Sequence, residues 1–235
     1  MNFTHPGLIF ATSKKPENMS FVHGDVENSL ENRRRFLNRL GINYLDLVCG
    51  HQVHGNTVRC IIESDKGKGA LSADSSINDT DAFITNIRNL PLGVFTADCL
   101  PVCLFDPVHQ TLGLAHAGWR STKGMIIINV VGLMREKFNS HAHNLCAVFG
   151  PCIRSCCYEV KQEFREYFPW AIEQREGGFY FDLAGVNKKQ LLEAGLKKEN
   201  IFDNSECTYC RQEEYFSYRR EPDKCGRMLS VAMLK

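Results

Sequence analysis

The sequence has no feature that would place the protein in a membrane or on a nucleic acid. No apolar run approaches the roughly 20 residues that a membrane span needs. The N-terminus has no basic segment followed by a sustained apolar core, so we expect no signal peptide. A net charge of +1 over 235 residues supplies no global attraction to nucleic acid or membrane. We therefore expect a soluble, cytoplasmic protein with neither of these partners.

Internal repeats, low-complexity tracts and flexible linkers are also absent, which predicts a single domain over residues 1–235. We expect this domain to be a monomer. Apolar residues at helical spacing predict helices over about 27–40, 122–138 and 186–195, and another around 160–168. The 122–138 helix has almost no polar face, so it should be buried.

Strands are predicted between these helices. The stretch 92–106 is apolar and extended, and we expect Pro101 to break it. The segment after it turns at "DPVHQ" and continues as "TLGLAHA", which predicts a hairpin. Since strands and helices are mixed along the chain, the sequence favours an α+β (mixed α/β) fold, with a mixed sheet covered by helices.

Cysteine is abundant: there are eleven, an odd number. Without a secretion signal we expect most to be reduced, buried thiols. Cys207 and Cys210 form a C-x-x-C, a spacing found in redox pairs and zinc knuckles. Cys225 is a candidate third ligand with no clear fourth, and the cysteines of "PCIRSCCYE" have no recognisable ligand spacing. We therefore expect these thiols to be buried or incidental.

Residues that can bind metals occur at three strand ends or turns. They are the two histidines of "HQVHG" (His51 and His54), Cys99 in "TADCLP" and His116 in "AHAGWR". Strand ends on one edge of a sheet can converge, and two imidazoles with one thiolate are a three-ligand zinc set that leaves a fourth position open. The spacings match no compact zinc finger. The alternative is hydrogen-bonded turn histidines and a buried thiol.

The segment after His116 has the composition of an anion site. Gly118 and Gly124 bracket the entry to a helix, where free N–H groups favour an anion. Arg120 offers a fork for phosphate or carboxylate, and Trp119 offers a surface on which a planar ligand can stack. The alternative is a core tryptophan and a surface arginine.

Two other chemistries use the same atoms. Cys99 and His116 are a candidate thiolate–imidazolium pair for nucleophilic catalysis. Asp98 should not orient that pair, since adjacent strand residues point to opposite faces. Two histidines and one cysteine also suit blue copper. A multicopper oxidase needs paired His-x-His motifs, and the only one here is His141-Ala-His143, so we exclude that class.

Beyond these residues, nine segments occur in the order found in a known family. Together they resemble the YfiH, or laccase-domain, family from about Asn18 to the end of the chain. The resemblance implies a single α/β domain related in fold to toxin-like cysteine hydrolases. It also implies one zinc ion per chain, which copper can replace in vitro, held by His54, Cys99 and His116. The segments are "NMSFVHGDVENSLENRRRFLNRLGI", "HQVHGNTV", "DTDAFITN", "TADCLPVCLFDP", "LAHAGWRSTKGMI", "GPCIRSCCYEV", "FDLAGVNKKQLLEAGL", "CTYC" and "FSYRRE…GRMLSVAML".

The resemblance further implies a purine nucleoside phosphorylase that also deaminates adenosine. Its substrates would be phosphate and adenosine, inosine, guanosine or methylthioadenosine. Arg120 is then the candidate phosphate contact and Arg34 a second one, with Trp119 as the purine platform. Asp81 is a candidate acid/base and Asn18 a candidate polar contact. The alternatives are a peptidoglycan precursor-editing hydrolase, a Cys/His hydrolase and a copper-dependent polyphenol oxidase.

The sequence departs from the family pattern at two places. Arg154-Ser155 replaces the Gly-Pro that commonly follows "GPCI" or "GPAI", so that turn should differ or carry a local contact. Tyr218 in "FSYRRE" replaces a histidine that many members have. If Tyr218 contacts substrate, the substrate preference should shift.

Overall fold

The computed structural model describes residues 3–22, 24–175, 177–222 and 225–235. Within these ranges no helix is long and apolar enough to span a membrane. The helices are α1 (Val26–Arg39), α2 (Trp119–Lys123), α3 (Ile126–Phe138), α4 (Phe164–Tyr167) and α5 (Leu183–Glu193). The strands are β1 (Leu8–Thr12), β2 (Val48–Cys49), β3 (Val58–Cys60), β4 (Ala82–Thr85), β5 (Leu92–Thr96), β6 (Leu100–Asp106), β7 (Thr111–Ala117), β8 (Cys146–Phe149), β9 (Glu159–Val160), β10 (Ile172–Arg175), β11 (Gly178–Phe181), β12 (Ile201–Asp203) and β13 (Met228–Leu234).

The expected α+β class with mixed β-sheet is confirmed, and in the described part of the chain the strands are divided among three sheets. The largest sheet has the order β12-β8-β6-β7-β4-β3, the second β1-β13-β5-β2 and the smallest β10-β11-β9. The first two contain both parallel and antiparallel pairs, as expected of mixed sheets.

The break in the stretch 92–106 lies at residues 97–99 and not at Pro101. Asp98 adopts a left-handed backbone with φ 87°, and the chain there leaves one sheet and enters the other. Pro101 lies within β6, opposite His116 of β7. Cys99 therefore lies where the chain passes between the two larger sheets.

The predicted hairpin is confirmed and forms the centre of the fold. β6 and β7 pair antiparallel from Leu100↔Ala117 to Asp106↔Thr111, and both strands are buried throughout. Leu104 packs in the cluster that includes α3 and α5, whereas Phe105 packs in the cluster that includes β5 and β13. The largest sheet is thus covered by helices on one face and by the second sheet on the other, which explains its uninterrupted apolar sequence.

The predicted helix over 122–138 is two helices, because Met125 between α2 and α3 adopts a left-handed φ of 63°. The longer one, α3, is not buried all round. Its buried residues occupy one face and are Ile126, Ile127, Val130, Val131 and Met134. Amphipathic burial of this kind is the usual result for a helix that covers one face of a sheet.

The other helix predictions differ in their success. The 27–40 helix is confirmed as α1, which Asp25 caps by accepting hydrogen bonds from two backbone N–H groups of the first turn. The 186–195 helix is α5. The 160–168 helix shrinks to α4, since Val160 pairs with Phe179 in the smallest sheet.

All eleven cysteines are free thiols, but only five are buried. Of the two C-x-x-C thiols, Cys207 is buried, as expected, and Cys210 is exposed. Two exposed cysteines, Cys156 and Cys210, lie in one group with Cys157 and Cys207. Cys225 lies outside this group.

We expect Gly113→Ala to destabilise the protein by about 1–3 kcal/mol through overpacking. A Cβ at Gly113 in β7 would lie 2.7 Å from Val130 Cγ1 and 3.1 Å from Met134 Sδ of α3. Urea denaturation would measure the change. Gly132→Ala in α3 is the matched control: a Cβ there meets nothing within 4 Å, so stability should be unchanged or rise by up to about 1 kcal/mol. Equal stability of the two variants would contradict this account of the α3–β7 contact.

Candidate metal centre and cavity

The ends of β5, β7 and the β2–β3 connection meet at a cavity of about 750 Å³. His54, Cys99 and His116 all line it, and their ligand atoms lie within 4.8 Å of one another. His51 lines the same cavity but is not part of this group. The structure therefore brings together the three residues that the family resemblance selects.

His54 has an uncommon backbone conformation, with φ 58°, a region that non-glycine residues rarely adopt. The buried carboxylate of Asp81, just before β4, stabilises it. Asp81 accepts hydrogen bonds from the backbone N–H groups of Val53 (3.1 Å), His54 (3.0 Å) and Gly55 (2.8 Å). One side chain thus fixes the whole turn that presents His54.

Asp81 also orients His116. His116 Nδ1 donates to Asp81 Oδ1 at 2.8 Å, since an ionised carboxylate only accepts. This leaves His116 Nε2 facing the cavity, the arrangement by which carboxylates commonly fix a metal-binding histidine. Burial raises the pKa of Asp81, but the hydrogen bond and charge of His116 outweigh it and the pKa is lowered. Asp81 does not line the cavity, so its position is that of a positioning residue and not of the predicted acid/base.

Cys99 is held in an environment that favours its thiolate. Burial raises its pKa, but the charge of His116 and hydrogen bonds from His116 and His54 lower it to about 6. Burial lowers the pKa of His116, whereas Cys99 and Asp81 raise it to about 9. Without a metal, both shifts favour the thiolate–imidazolium form of this pair.

The space around the three residues suits a small ion. A Cβ at Gly118 would lie 2.9 Å from Cys99 Sγ and 3.1 Å from His54 Cδ2. Gly118 has an ordinary φ of −75°, so glycine is needed here for room and not for backbone freedom. Two imidazoles and a thiolate can hold zinc with an open fourth position, and copper also accepts such a set. The residues present fit a metal.

Asp98 lines the cavity but does not orient His116. Its carboxylate accepts hydrogen bonds from Thr208 Oγ1 (2.6 Å), Ser217 Oγ (3.1 Å) and Arg219 N–H (2.7 Å). Asp98 thus ties the turn that carries Cys99 to the segment 207–219. This segment supplies Tyr218 and Arg219 to the cavity wall.

Arg120 and Trp119 both line the cavity. The Arg120 guanidinium lies 4.2 Å from the Trp119 ring centroid and forms no ion pair with any described residue. The Trp119 ring also packs against Phe164, at 4.9 Å between ring centroids, and stacks with Tyr167. Trp119 is therefore both a core residue and part of the wall.

Two predicted contacts do not reach the cavity. Arg34 is exposed on α1 and forms an ion pair with Glu31 at 2.8 Å. Asn18 does not line the cavity either; its side-chain oxygen accepts from the backbone N–H groups of Ser20 and Arg227. Helical periodicity explains the first error, since neighbouring residues point in different directions. The adjacent Arg33 is the one that lines the cavity.

Sequence reasoning missed Arg33 and Tyr158. Arg33 is buried and donates to the carbonyl oxygens of Met19, Gly69 and Ala70. Tyr158 lines the cavity beneath Arg219. The one signal that could have identified Arg33 is the burial of its charged side chain, and that burial is seen only in the structure.

Both departures from the family pattern have structural consequences. Arg154 forms a two-pronged ion pair with Asp203, at 2.7 and 2.8 Å. The turn therefore carries the local contact expected of it. Tyr218 lines the cavity and is 53% exposed, so this residue can reach a ligand.

The fold and this pocket define a mixed α/β protein with a His/Cys/His group at the meeting point of two sheets. The family model described as "Multi-copper polyphenol oxidoreductase laccase" matches residues 10–235. The chain belongs to this family.

Named relatives share most of the chain. Purine nucleoside phosphorylase YlmD of Geobacillus stearothermophilus is 32% identical over 89% of this chain and 80% of its own length. Adenosine deaminase RL5, from an unknown prokaryote, is 31% identical over 88% of this chain and 82% of its own length. The YlmD crystal structure matches with a TM-score of 0.94 over 98% and 93%, at 29% identity. The crystal structure of Bacillus licheniformis protein YfiH matches with a TM-score of 0.90, at 31% identity, over 96% of this chain and 91% of its own.

The multicopper chemistry in the family's description has no matching cluster in the described residues. In that part of the chain only two groups of three or more His, Cys, Asp or Glu side chains converge: the His54–Cys99–His116 set and a four-cysteine set. The rings of His141 and His143 stack at 5.6 Å between centroids and belong to neither. His23 lies outside the described residues.

We expect Asp81→Asn to lower metal affinity about 10- to 100-fold, the usual effect of removing a carboxylate partner of a metal-binding histidine. Competition with a zinc chelator would measure the affinity. Asp79→Asn is the control, because Asp79 is an exposed carboxylate of the same region whose side chain lies near His51. Wild-type affinity in Asp81→Asn would show that Asp81 does not position the centre.

Proposed function

We propose that this protein is a metal-dependent purine nucleoside phosphorylase that also deaminates adenosine, with zinc as its metal. The charge of the cavity carries the proposal. Its described lining residues include four arginines (Arg33, Arg120, Arg219 and Arg227) and one carboxylate, Asp98. That carboxylate is already occupied by three hydrogen bonds. An excess of positive charge beside an ordered His/Cys/His group suits a phosphate co-substrate.

Two of the four arginines are available for phosphate. Arg33 donates to three carbonyl oxygens, and Arg227 donates to those of Cys225 and Gly226. Arg120 and Arg219 form no ion pair with any described residue, and each lies over an aromatic ring of the wall. We assign the phosphate to these two guanidinium groups. The start of α2 adds little, since that helix has only five residues.

The aromatic side chains of the wall supply surfaces for the base. Tyr158, Tyr218 and Trp119 line the cavity. Of these, Tyr218 has the most exposed ring, with Arg227 beside it. We assign purine stacking to this group, with Tyr218 as the residue that distinguishes this chain from members with histidine there.

Phosphorolysis transfers the ribose from nitrogen to oxygen. A phosphate oxygen forms a bond to ribose C1′ as the C1′–N9 bond breaks. The electron pair of the C1′–N9 bond leaves with the purine, which takes up a proton. Arg120 and Arg219 would bind the phosphate and orient its attacking oxygen, while the stacked wall excludes water. A zinc ion held by His54, Cys99 and His116 would supply a Lewis acid and an open coordination position.

A cysteine hydrolase is the second candidate. The observation in its favour is the Asp81–His116–Cys99 arrangement, in which a carboxylate orients an imidazole beside a thiolate. This activity would survive metal removal and be lost on alkylation of Cys99.

The free state of all eleven cysteines supports a reducing, cytoplasmic compartment for either activity.

We expect the purified protein to convert adenosine to adenine and ribose 1-phosphate only when phosphate is present, and to inosine without phosphate. Chromatography of the products would separate the two reactions. Cys99→Ala, His54→Ala and His116→Ala should each lose metal and both activities. Activity that persists after chelation and in His54→Ala would favour the hydrolase instead.

We expect Arg120→Ala to raise the KM for phosphate about 10- to 100-fold, the value of a lost charged hydrogen bond. The KM for the nucleoside should change little. Lys123→Ala is the matched control, because Lys123 is a cation of the same short helix that lies over Tyr167 and not on the cavity wall. An unchanged phosphate KM in Arg120→Ala would remove this residue from the phosphate site.

A further inference from the structure

Four cysteines outside the cavity form a compact group, which we call the four-cysteine cluster: Cys156, Cys157, Cys207 and Cys210. Their sulfur atoms all lie within 4.8 Å of one another. Cys210 Sγ is 3.7 Å from Cys156 Sγ and 3.3 Å from Cys157 Sγ. The cluster shares no residue with the His54–Cys99–His116 set.

Two segments distant in sequence are brought together to form it. The backbone N–H of Cys152 donates to Glu206 O at 3.3 Å, and that of Thr208 donates to Cys152 O at 3.1 Å. This bridge places the turn with Cys156 and Cys157 beside the tight turn that spans Cys207 to Cys210. The Cys207 sulfur accepts backbone N–H hydrogen bonds from Cys210 and Arg154, which fix its position in the turn.

We propose that the four-cysteine cluster is a second metal site that binds one zinc ion through four thiolates. Zinc–sulfur bonds of about 2.3 Å in a tetrahedron place the sulfurs about 3.8 Å apart, close to the separations observed. Four protein ligands close the coordination sphere, which is the pattern of a structural site. Binding converts four thiols to thiolates and releases their protons to solvent.

The exposure of the cluster also favours a metal over incidental thiols. Cys156 and Cys210 are exposed and Cys157 is half-buried, so an ion can enter from solvent. The sulfur separations exceed the roughly 2.05 Å of a disulfide. All-sulfur tetrahedral sites select zinc or iron. Cys156 and Cys157, together with the two thiols of the C-x-x-C, supply the four sulfur ligands of such a site.

The site would stabilise one wall of the cavity. Tyr158 directly follows Cys157 and lines the cavity. Thr208, inside the C-x-x-C turn, donates to Asp98, which also holds Ser217 and Arg219. A metal in the cluster therefore joins the two segments that carry Tyr158, Tyr218 and Arg219. The proposal does not depend on the enzymatic activity.

The test is zinc content measured by mass spectrometry in protein that has lost the cavity ligands. We expect His54→Ala/Cys99→Ala to retain one zinc per chain, and the same protein with Cys207→Ser and Cys210→Ser to retain none. Cys60→Ser on the same background is the thiol control, since Cys60 lies in β3 outside both groups, and it should keep the ion. Cobalt loaded in place of zinc should show sulfur-to-cobalt charge-transfer absorption that the serine variants lack.

Equal zinc with and without Cys207 and Cys210 would overturn the proposal. So would a disulfide within the cluster, detected by thiol counting and intact mass in protein purified without reductant. If the serine variant does not fold by circular dichroism, a mercurial titration of folded His54→Ala/Cys99→Ala decides. Zinc release in step with thiol modification supports the site, and protein without zinc to release contradicts it.

Discussion

The candidate metal centre depends on one buried carboxylate. Asp81 has no exposed surface, yet it accepts hydrogen bonds from three consecutive backbone N–H groups and from His116. A buried charge is tolerated when hydrogen bonds compensate its lost hydration. In exchange for that compensation, Asp81 fixes both the left-handed turn that carries His54 and the ring orientation of His116. These two imidazoles come from elements far apart in sequence, and this side chain joins them.

A second carboxylate, that of Asp98, anchors the turn that carries Cys99. Asp98 adopts a left-handed backbone at the point where β5 ends, and its oxygens hold Thr208, Ser217 and the backbone of Arg219. The neighbouring residue Cys99 is thereby turned toward the histidines while the C-terminal segment is drawn onto the cavity. The two aspartates are therefore structural anchors of a site whose wall is rich in arginine. Both carboxylates are occupied by hydrogen bonds from the protein itself.

The chemistry of this site differs from the multicopper chemistry in the family's description. A multicopper oxidase needs several copper ions held largely by histidine, whereas the described residues offer one His/Cys/His set beside an arginine-rich cavity and a separate all-sulfur cluster. The cavity suits a phosphate and an aromatic ligand better than it suits electron transfer between coppers. The all-sulfur cluster lies behind the wall that carries Tyr158, where a closed metal site would serve stability and not catalysis.

The α+β class, the α1 helix, the β6–β7 hairpin and the residue types of the metal centre could be predicted from the sequence, because they follow from local periodicity, turn residues and ligand chemistry. The choice of His54 over His51 needed the family resemblance, and the contacts of Asp81 needed the structure. Three outcomes required the tertiary structure. Arg33 and not Arg34 faces the cavity, and Met125 divides the long helix. Two pairs of cysteines about fifty residues apart form one cluster. Those outcomes depend on how sheets and turns pack against one another, and no local pattern encodes which distant atoms a buried hydrogen bond will join.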